Sequence, residues 1–103
     1  MLPVIYRPAA EFELQEAYNW YEEREPGLGL EFMRCVDACI QLIRRHPEIF
    51  PITHRNIRQA VVRRFPYSIF YFPAGETVVV ISIFHASRQP RKWERPNASP
   101  DLP

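Results

Sequence analysis

Thr77-Val78-Val79-Val80-Ile81-Ser82-Ile83-Phe84-His85 is the stretch on which the fold turns. β-Branched residues dominate it, and both of its alternating faces are apolar: Val79, Ile81 and Ile83 on one, Val78, Val80 and Phe84 on the other. A strand that is apolar on both sides belongs in the middle of a sheet with cover on each face. Pro73-Ala74-Gly75-Glu76 supplies a hairpin turn just before it, and Tyr67 to Phe72 supplies an aromatic partner strand. Further upstream Arg58 to Phe65 alternates, with Val61, Arg63 and Phe65 on one face and Ala60, Val62 and Arg64 on the other, until Pro66 interrupts. Together these segments predict a three-stranded antiparallel meander.

Ahead of the meander the texture is helical. Leu2 to Arg7 reads as a short first strand, ended by Pro8, which also suits the first turn of a helix. Ala10, Leu14, Ala17 and Tyr21 then recur at helical spacing among glutamates, which predicts a helix over about residues 9–24. Pro26-Gly27-Leu28-Gly29 is a compact break, too short for a domain linker. From Leu30 the apolar positions Phe32, Cys35 or Val36, Cys39, and Leu42 or Ile43 predict a second helix to about Arg45, stopped by Pro47. Two helices so closely joined form an antiparallel hairpin. Residues 47–57 read as an irregular connection. The expected architecture is therefore α+β: an N-terminal strand, a helix hairpin, and a meander, with the helices packed on one face of a small sheet.

Length and composition bound what such a fold does. With 103 residues, 47% hydrophobic and 24% charged, the chain closes one core and has no room for a second. One domain over residues 1–95 is expected, followed by a proline-bearing tail, residues 96–103, with no apolar period. No apolar run reaches the length that crosses a bilayer, so a cytoplasmic location and no membrane partner are expected. Charge is divided along the chain: residues 1–43 hold three basic side chains and eight acidic ones, whereas residues 44–95 hold ten basic and three acidic. All of the basic residues but Lys92 are arginines, which suit bidentate contact with phosphates and carboxylates. Nucleic acid or an acidic protein is the natural partner for that second half, and a solvated basic face is the plainer alternative.

His85-Ala86-Ser87-Arg88-Gln89-Pro90-Arg91-Lys92-Trp93 gathers three cations, a histidine and a tryptophan directly after the central strand. At a strand end this makes an anion-binding or stacking surface. His85 is a candidate acid or base with Arg88 beside it, although a lone histidine there is more often structural. Arg63 and Arg64 form a second cluster, sent by strand alternation to opposite faces. The chain has no phosphate-cradling glycine loop, no serine or cysteine in a nucleophile setting, and no histidine and acid set at metal-ligand spacing, so no cofactor or metal is expected. Cys35 and Cys39 share a helix face and pack as small hydrophobes. The second apolar face of the central strand is covered either by a partner or by the tail folding back.

In their order along the chain, Trp20-Tyr21-Glu22-Glu23-Arg24 with Pro26-Gly27-Leu28-Gly29 and Phe32, then Ile43 to Pro47, then Arg63-Arg64-Phe65-Pro66-Tyr67-Ser68-Ile69 with Tyr71, and finally His85 with Arg88, Pro90 and Trp93, resemble the RelE/ParE superfamily of type II toxin–antitoxin toxins. The resemblance spans residues 4–93 and favours the ParE, or plasmid-stabilisation, branch. It implies a small α+β bacterial toxin that arrests growth and is held inactive by a cognate antitoxin whose tail wraps the helices and sheet. Val78, Val80 and Phe84 become candidate antitoxin-binding residues. ParE-like toxins poison DNA gyrase without being nucleases, which makes Arg63, Arg64, Arg88, Arg91, Lys92 and Trp93 candidate target-binding residues. RelE-like toxins instead cut mRNA on the ribosome, and here that alternative centres on His85 and Arg88. An inactive member that only binds antitoxin is the third possibility. No tyrosine follows Tyr71 and Lys92 is the only lysine, which weighs against the nuclease.

Overall fold

The computed structural model describes residues 1–86. Its elements run β1 (Val4–Tyr6), α1 (Pro8–Arg24), α2 (Leu28–Arg45), β2 (Ile52–His54), β3 (Ile57–Val61), β4 (Tyr67–Ala74) and β5 (Thr77–His85). One sheet holds all five strands in the order β1-β5-β4-β3-β2, with β1 parallel to β5 and the other neighbours antiparallel. The expected architecture is present, and the meander has one strand more than predicted. β2 lies within the 47–57 connection, where Pro51 and a three-residue length hide its period.

Local chemistry explains the helices. Pro8 opens α1 at a position whose N–H has no intrahelical partner, and Glu11 sits in the positive first turn. α1 then stops against Pro26. Gly27 takes the left-handed conformation at the N-cap of α2, with φ of 91°. The Glu22 carboxylate accepts hydrogen bonds from the Gly27 and Gly29 N–H groups, each at 2.9 Å, and so stands in for an N-cap side chain. Gly29 also marks a close approach of the two helices, because a Cβ there would meet the Tyr18 carbonyl oxygen at 2.8 Å. Arg44 and Arg45 complement the negative end of α2.

Between the hairpin and the sheet lies the main core. Ala10, Ala17 and Tyr21 of α1 and Phe32, Val36 and Ile43 of α2 pack on Ile69, Tyr71, Val78, Val80 and Ile83 of the sheet. At one end Tyr21, Phe32, Phe65 and Tyr67 form an aromatic cluster with ring centroids 4.9–6.1 Å apart. The opposite face of the sheet carries a smaller cluster of Ile57 and Phe70 with Ile81 and Phe84 packed against it.

β5 departs from strict alternation. Phe70 pairs with Ser82 but Tyr71 pairs with Val80, so Ile81 is one residue in excess. Val78 and Val80 therefore face the helices, Ile83 joins them after the bulge, and Phe84 turns to the opposite face with Ile81. The expected grouping of Val78, Val80 and Phe84 on one face, and of Val79, Ile81 and Ile83 on the other, is corrected accordingly. Glu13 of α1 holds the bulge: its Oε1 accepts from the Ser82 hydroxyl and from the Ile83 N–H, both at 2.8 Å.

A second correction concerns Arg63 and Arg64. β3 ends at Val61, and residues 62–66 form a tight turn in which the Val62 N–H donates to the Tyr67 carbonyl at 2.9 Å. Pro66 has no N–H to give a continuing ladder, and Phe65 is drawn down into the aromatic cluster. Arg64 is left with a positive φ of 71°, so the two arginines project from a turn and do not alternate across a strand.

Candidate functional site

The aromatic cluster fixes the β3–β4 turn beneath the tip of the helix hairpin, and this places Arg63 and Arg64 beside α2. Arg64 donates to Glu31 Oε2 at 2.6 Å, and Arg34 reaches the other oxygen of the same carboxylate at 3.4 Å. The same turn abuts the end of β5: Tyr67 pairs with His85, and the Ala86 N–H donates to the Pro66 carbonyl at 2.6 Å. The His85 ring stands edge-on to Tyr67, with centroids 5.2 Å apart. One end of the sheet thus joins Arg63, Arg64 and His85, and the chain continues from there towards Arg88. Arg88, Arg91, Lys92 and Trp93 lie outside the described residues, as does the tail from residue 96.

Along the flank of α2 that faces this turn runs an open groove of about 700 Å³. Its floor is apolar and built from Cys35, Ala38, Leu42, Phe50 and Val61. Arg34 and Arg45 stand at the two ends of the α2 stripe, and Arg63 and Arg64 line the opposite wall. No acidic side chain among the described residues lines it. Arg34 and Arg64 share Glu31, whereas Arg45 and Arg63 have no carboxylate partner among the described residues. Sequence reasoning assigned Arg63 and Arg64 to a basic surface but gave Arg34 and Arg45 no binding role. The 34, 38, 41, 45 stripe has a helical period that a sequence shows, but the wall that makes it a groove comes from a turn eighteen residues past the end of α2.

Two further arginines of the basic half are occupied internally. Arg44 Nε donates to the Leu2 carbonyl at 2.6 Å, and one guanidinium nitrogen of Arg58 donates to the Glu48 and Phe50 carbonyls at 3.0 and 2.7 Å. Burial pushes the Cys39 thiol up to about 11, which keeps it neutral, and its neighbour Cys35 is only half-buried. Burial likewise pushes the Tyr71 hydroxyl up to about 12, with Arg58 pulling the other way, and that hydroxyl donates to the Pro47 carbonyl at 2.7 Å. Tyr67 and Tyr71 are buried core aromatics. Val78 and Val80 are fully buried beneath the helices, which leaves Phe84 as the one partly exposed member of the three candidate antitoxin contacts. The described residues contain no group of three or more metal-ligating side chains, and no helix long and apolar enough to cross a membrane.

This arrangement, a helix hairpin laid on a mixed sheet with arginines at one end, defines a class. The fold is shared with the chromosomal ParDE toxin–antitoxin system from P. aeruginosa, with a TM-score of 0.67 at 15% identity, covering 84% of this chain and 98% of that one. It is shared also with the intact E. coli RelBE toxin–antitoxin complex, with a TM-score of 0.62 at 16% identity, covering 85% of this chain and 100% of that one. No curated protein matches the chain. Residues 4–90 match the family model for the ParE toxin of type II toxin–antitoxin systems, parDE, and the chain belongs to that family.

Proposed function

We propose that this toxin arrests growth by binding DNA gyrase through the basic end of its sheet, without covalent chemistry, and that a cognate antitoxin neutralises it. The observation that carries the proposal is the ParE family match together with the placement of Arg63 and Arg64 at the mouth of β5, from which the Arg88–Trp93 segment follows in sequence. Both structural relatives are toxin–antitoxin systems, which supports the antitoxin partner.

The test is supercoiling of relaxed plasmid by purified gyrase with increasing amounts of the toxin, with and without antitoxin. The expected result is dose-dependent inhibition that the antitoxin reverses. Charge reversal at Arg88 and Arg91 should abolish growth arrest while the fold survives. Folded, toxic protein that leaves gyrase unaffected would shift the target to the ribosome, a reading favoured by the RelBE-like fold and by His85 lying beside the arginine turn. Cleavage of mRNA on translating ribosomes, lost in His85→Gln, would then establish the nuclease.

A further inference from the structure

We propose that Trp93 is a positioning residue: the segment after β5 turns back over the face of the sheet opposite the helices and seats its indole on Phe70 and Phe84, which holds Arg88, Arg91 and Lys92 across the end of the sheet that carries Arg63 and Arg64. The role rests on the target-binding reading above, whereas the seat stands on its own observations.

The first observation is burial on a face that no described helix covers. Phe70 lies on the side of the sheet away from the hairpin, and the cluster it shares with Ile57, Ile81 and Phe84 draws nothing from α1 or α2. Yet Phe70 is 0% exposed, and Ser68 and Ile57 on the same face only 6% and 8%. Side chains alongside on a sheet shield the flanks of a ring and leave its outward side open, and Gln59, Ile81 and Phe84 around Phe70 are themselves only half-buried. The burial is also local. At the other end of the same face Ile5, paired with Val79, is 55% exposed. The cover therefore lies over the end at which the chain leaves β5, and it exists within a single chain.

Reach and chemistry name the occupant. The Ala86 N–H, donating to the Pro66 carbonyl at 2.6 Å, fixes where the following segment starts. Phe70 pairs with Ser82, which places it four residues back from Ala86, about 13 Å along the strand. Seven residues lead from Ala86 to Trp93 and span up to about 23 Å, so a reversal near Arg88 brings the indole over Phe70. Other courses are poorly served. The helix side of the sheet is filled by α1 and α2, the Ile83 N–H is already taken by Glu13, and Pro90 has no N–H to give to a further strand. Trp93 is the one aromatic residue after His85, and the Phe70 and Phe84 rings, 6.2 Å apart at 68°, offer it an edge-on aromatic seat. A second copy would compete with a tether whose effective concentration is on the order of mM.

With Trp93 seated, Arg88, Arg91 and Lys92 lie on the returning segment between the seat and His85, beside the arginine turn. Cations held in this way lose less ordering entropy when a target binds. Trp93 then serves the target through the arginines and does not touch it.

Tryptophan fluorescence tests the seat. The chain has two tryptophans, and Trp20→Phe leaves Trp93 as the reporter. The expected result is a blue-shifted Trp93 emission, quenched by acrylamide about fivefold or more slowly than in the urea-unfolded chain, with Phe84→Ser restoring fast quenching. Trp93→Ala should weaken growth arrest and gyrase inhibition about tenfold or more, and Trp93→Phe should largely rescue both. Quenching at the unfolded rate overturns the seat. Shielding that appears only when gyrase or antitoxin is added makes Trp93 a contact residue and overturns the proposal. Shielding that rises with protein concentration assigns the cover to a second copy and overturns it too. A shielded Trp93 with Trp93→Ala as toxic as the wild type overturns the positioning role. A shielded Trp93 in a chain whose growth arrest needs Trp93 but leaves gyrase untouched removes the gyrase reading and upholds the proposal. Should Trp20→Phe fail to fold, the difference between the wild type and Trp93→Phe gives the same quenching constant.

Discussion

The two flanks of α2 present neighbouring arginines to very different surroundings. On one flank Arg44 bonds the Leu2 carbonyl, and its own carbonyl accepts from the Leu2 N–H at 3.2 Å, so the start of the chain is sealed against the helix. One position on, Arg45 stands exposed at the end of an apolar groove with no carboxylate partner among the described residues. Between them on the inward face, Phe32, Val36, Ile40 and Ile43 are buried against the sheet. Arginine count alone therefore says little about binding. Arg44 and Arg58 are structural because they satisfy backbone carbonyls that the fold would otherwise strand, whereas Arg45 and Arg63 have no carboxylate partner among the described residues.

The contrast can be broken most severely on the inward face. Phe32→Ala removes a fully buried ring from the aromatic cluster and is expected to cost about 3–5 kcal/mol, read as a lowered urea midpoint; a cost below about 1 kcal/mol would mean that the cluster does not hold the turn. Alkaline pH is the next lever. Cys39 and Tyr71 are held protonated, their folded values of about 11 and about 12 lying above the ordinary 9.0 and 10.0. A raised folded value means that the stability is fully present below the unfolded value and disappears as pH climbs through the folded one. Stability should thus be flat up to about pH 9, then fall through the window from 9 to 12, by roughly 2–3 kcal/mol for each group. Denaturation curves across that window check it, and Tyr71→Phe should remove the upper part of the fall.

Glu13→Ala tests the bulge. It leaves the Ile83 N–H without its acceptor and should cost about 1–3 kcal/mol, with amide exchange at Ile83 accelerating before global unfolding. The smallest effect belongs to the outer flank: Arg45→Glu should change unfolding stability by no more than about 1 kcal/mol, because the exposed side chain has no carboxylate partner among the described residues and contributes only to the dipole at the end of α2. A large loss there would show that Arg45 belongs with Arg44 as a structural residue.

Much of this was legible from residue order alone. Helical spacing of Ala10, Leu14, Ala17 and Tyr21, the Pro26-Gly27 break and the β-branched run at Thr77–His85 each report an effect confined to a few neighbouring residues, and each matches its element. What escaped was whatever depends on a distant partner. β2 forms because β3 lies beside it, with no strong pattern of its own in Ile52–His54. The excess residue at Ile81 is stabilised by Glu13, 70 residues away from Ile83, and without it the alternation of β5 would continue and put Phe84 with Val78 and Val80. The turn that carries Arg63 and Arg64 is pulled into place by Phe65 stacking on Tyr21 and Phe32.

Fold class, helix hairpin and meander were determined by the sequence itself, since side-chain period and turn chemistry act at short range and need no knowledge of the final packing. Which arginines are spent on backbone carbonyls and which remain open to a partner was decided only by the tertiary structure. Long, flexible guanidinium side chains commit to whichever carbonyl or carboxylate the packed elements bring within reach, and that geometry exists only once helix, turn and sheet have come together.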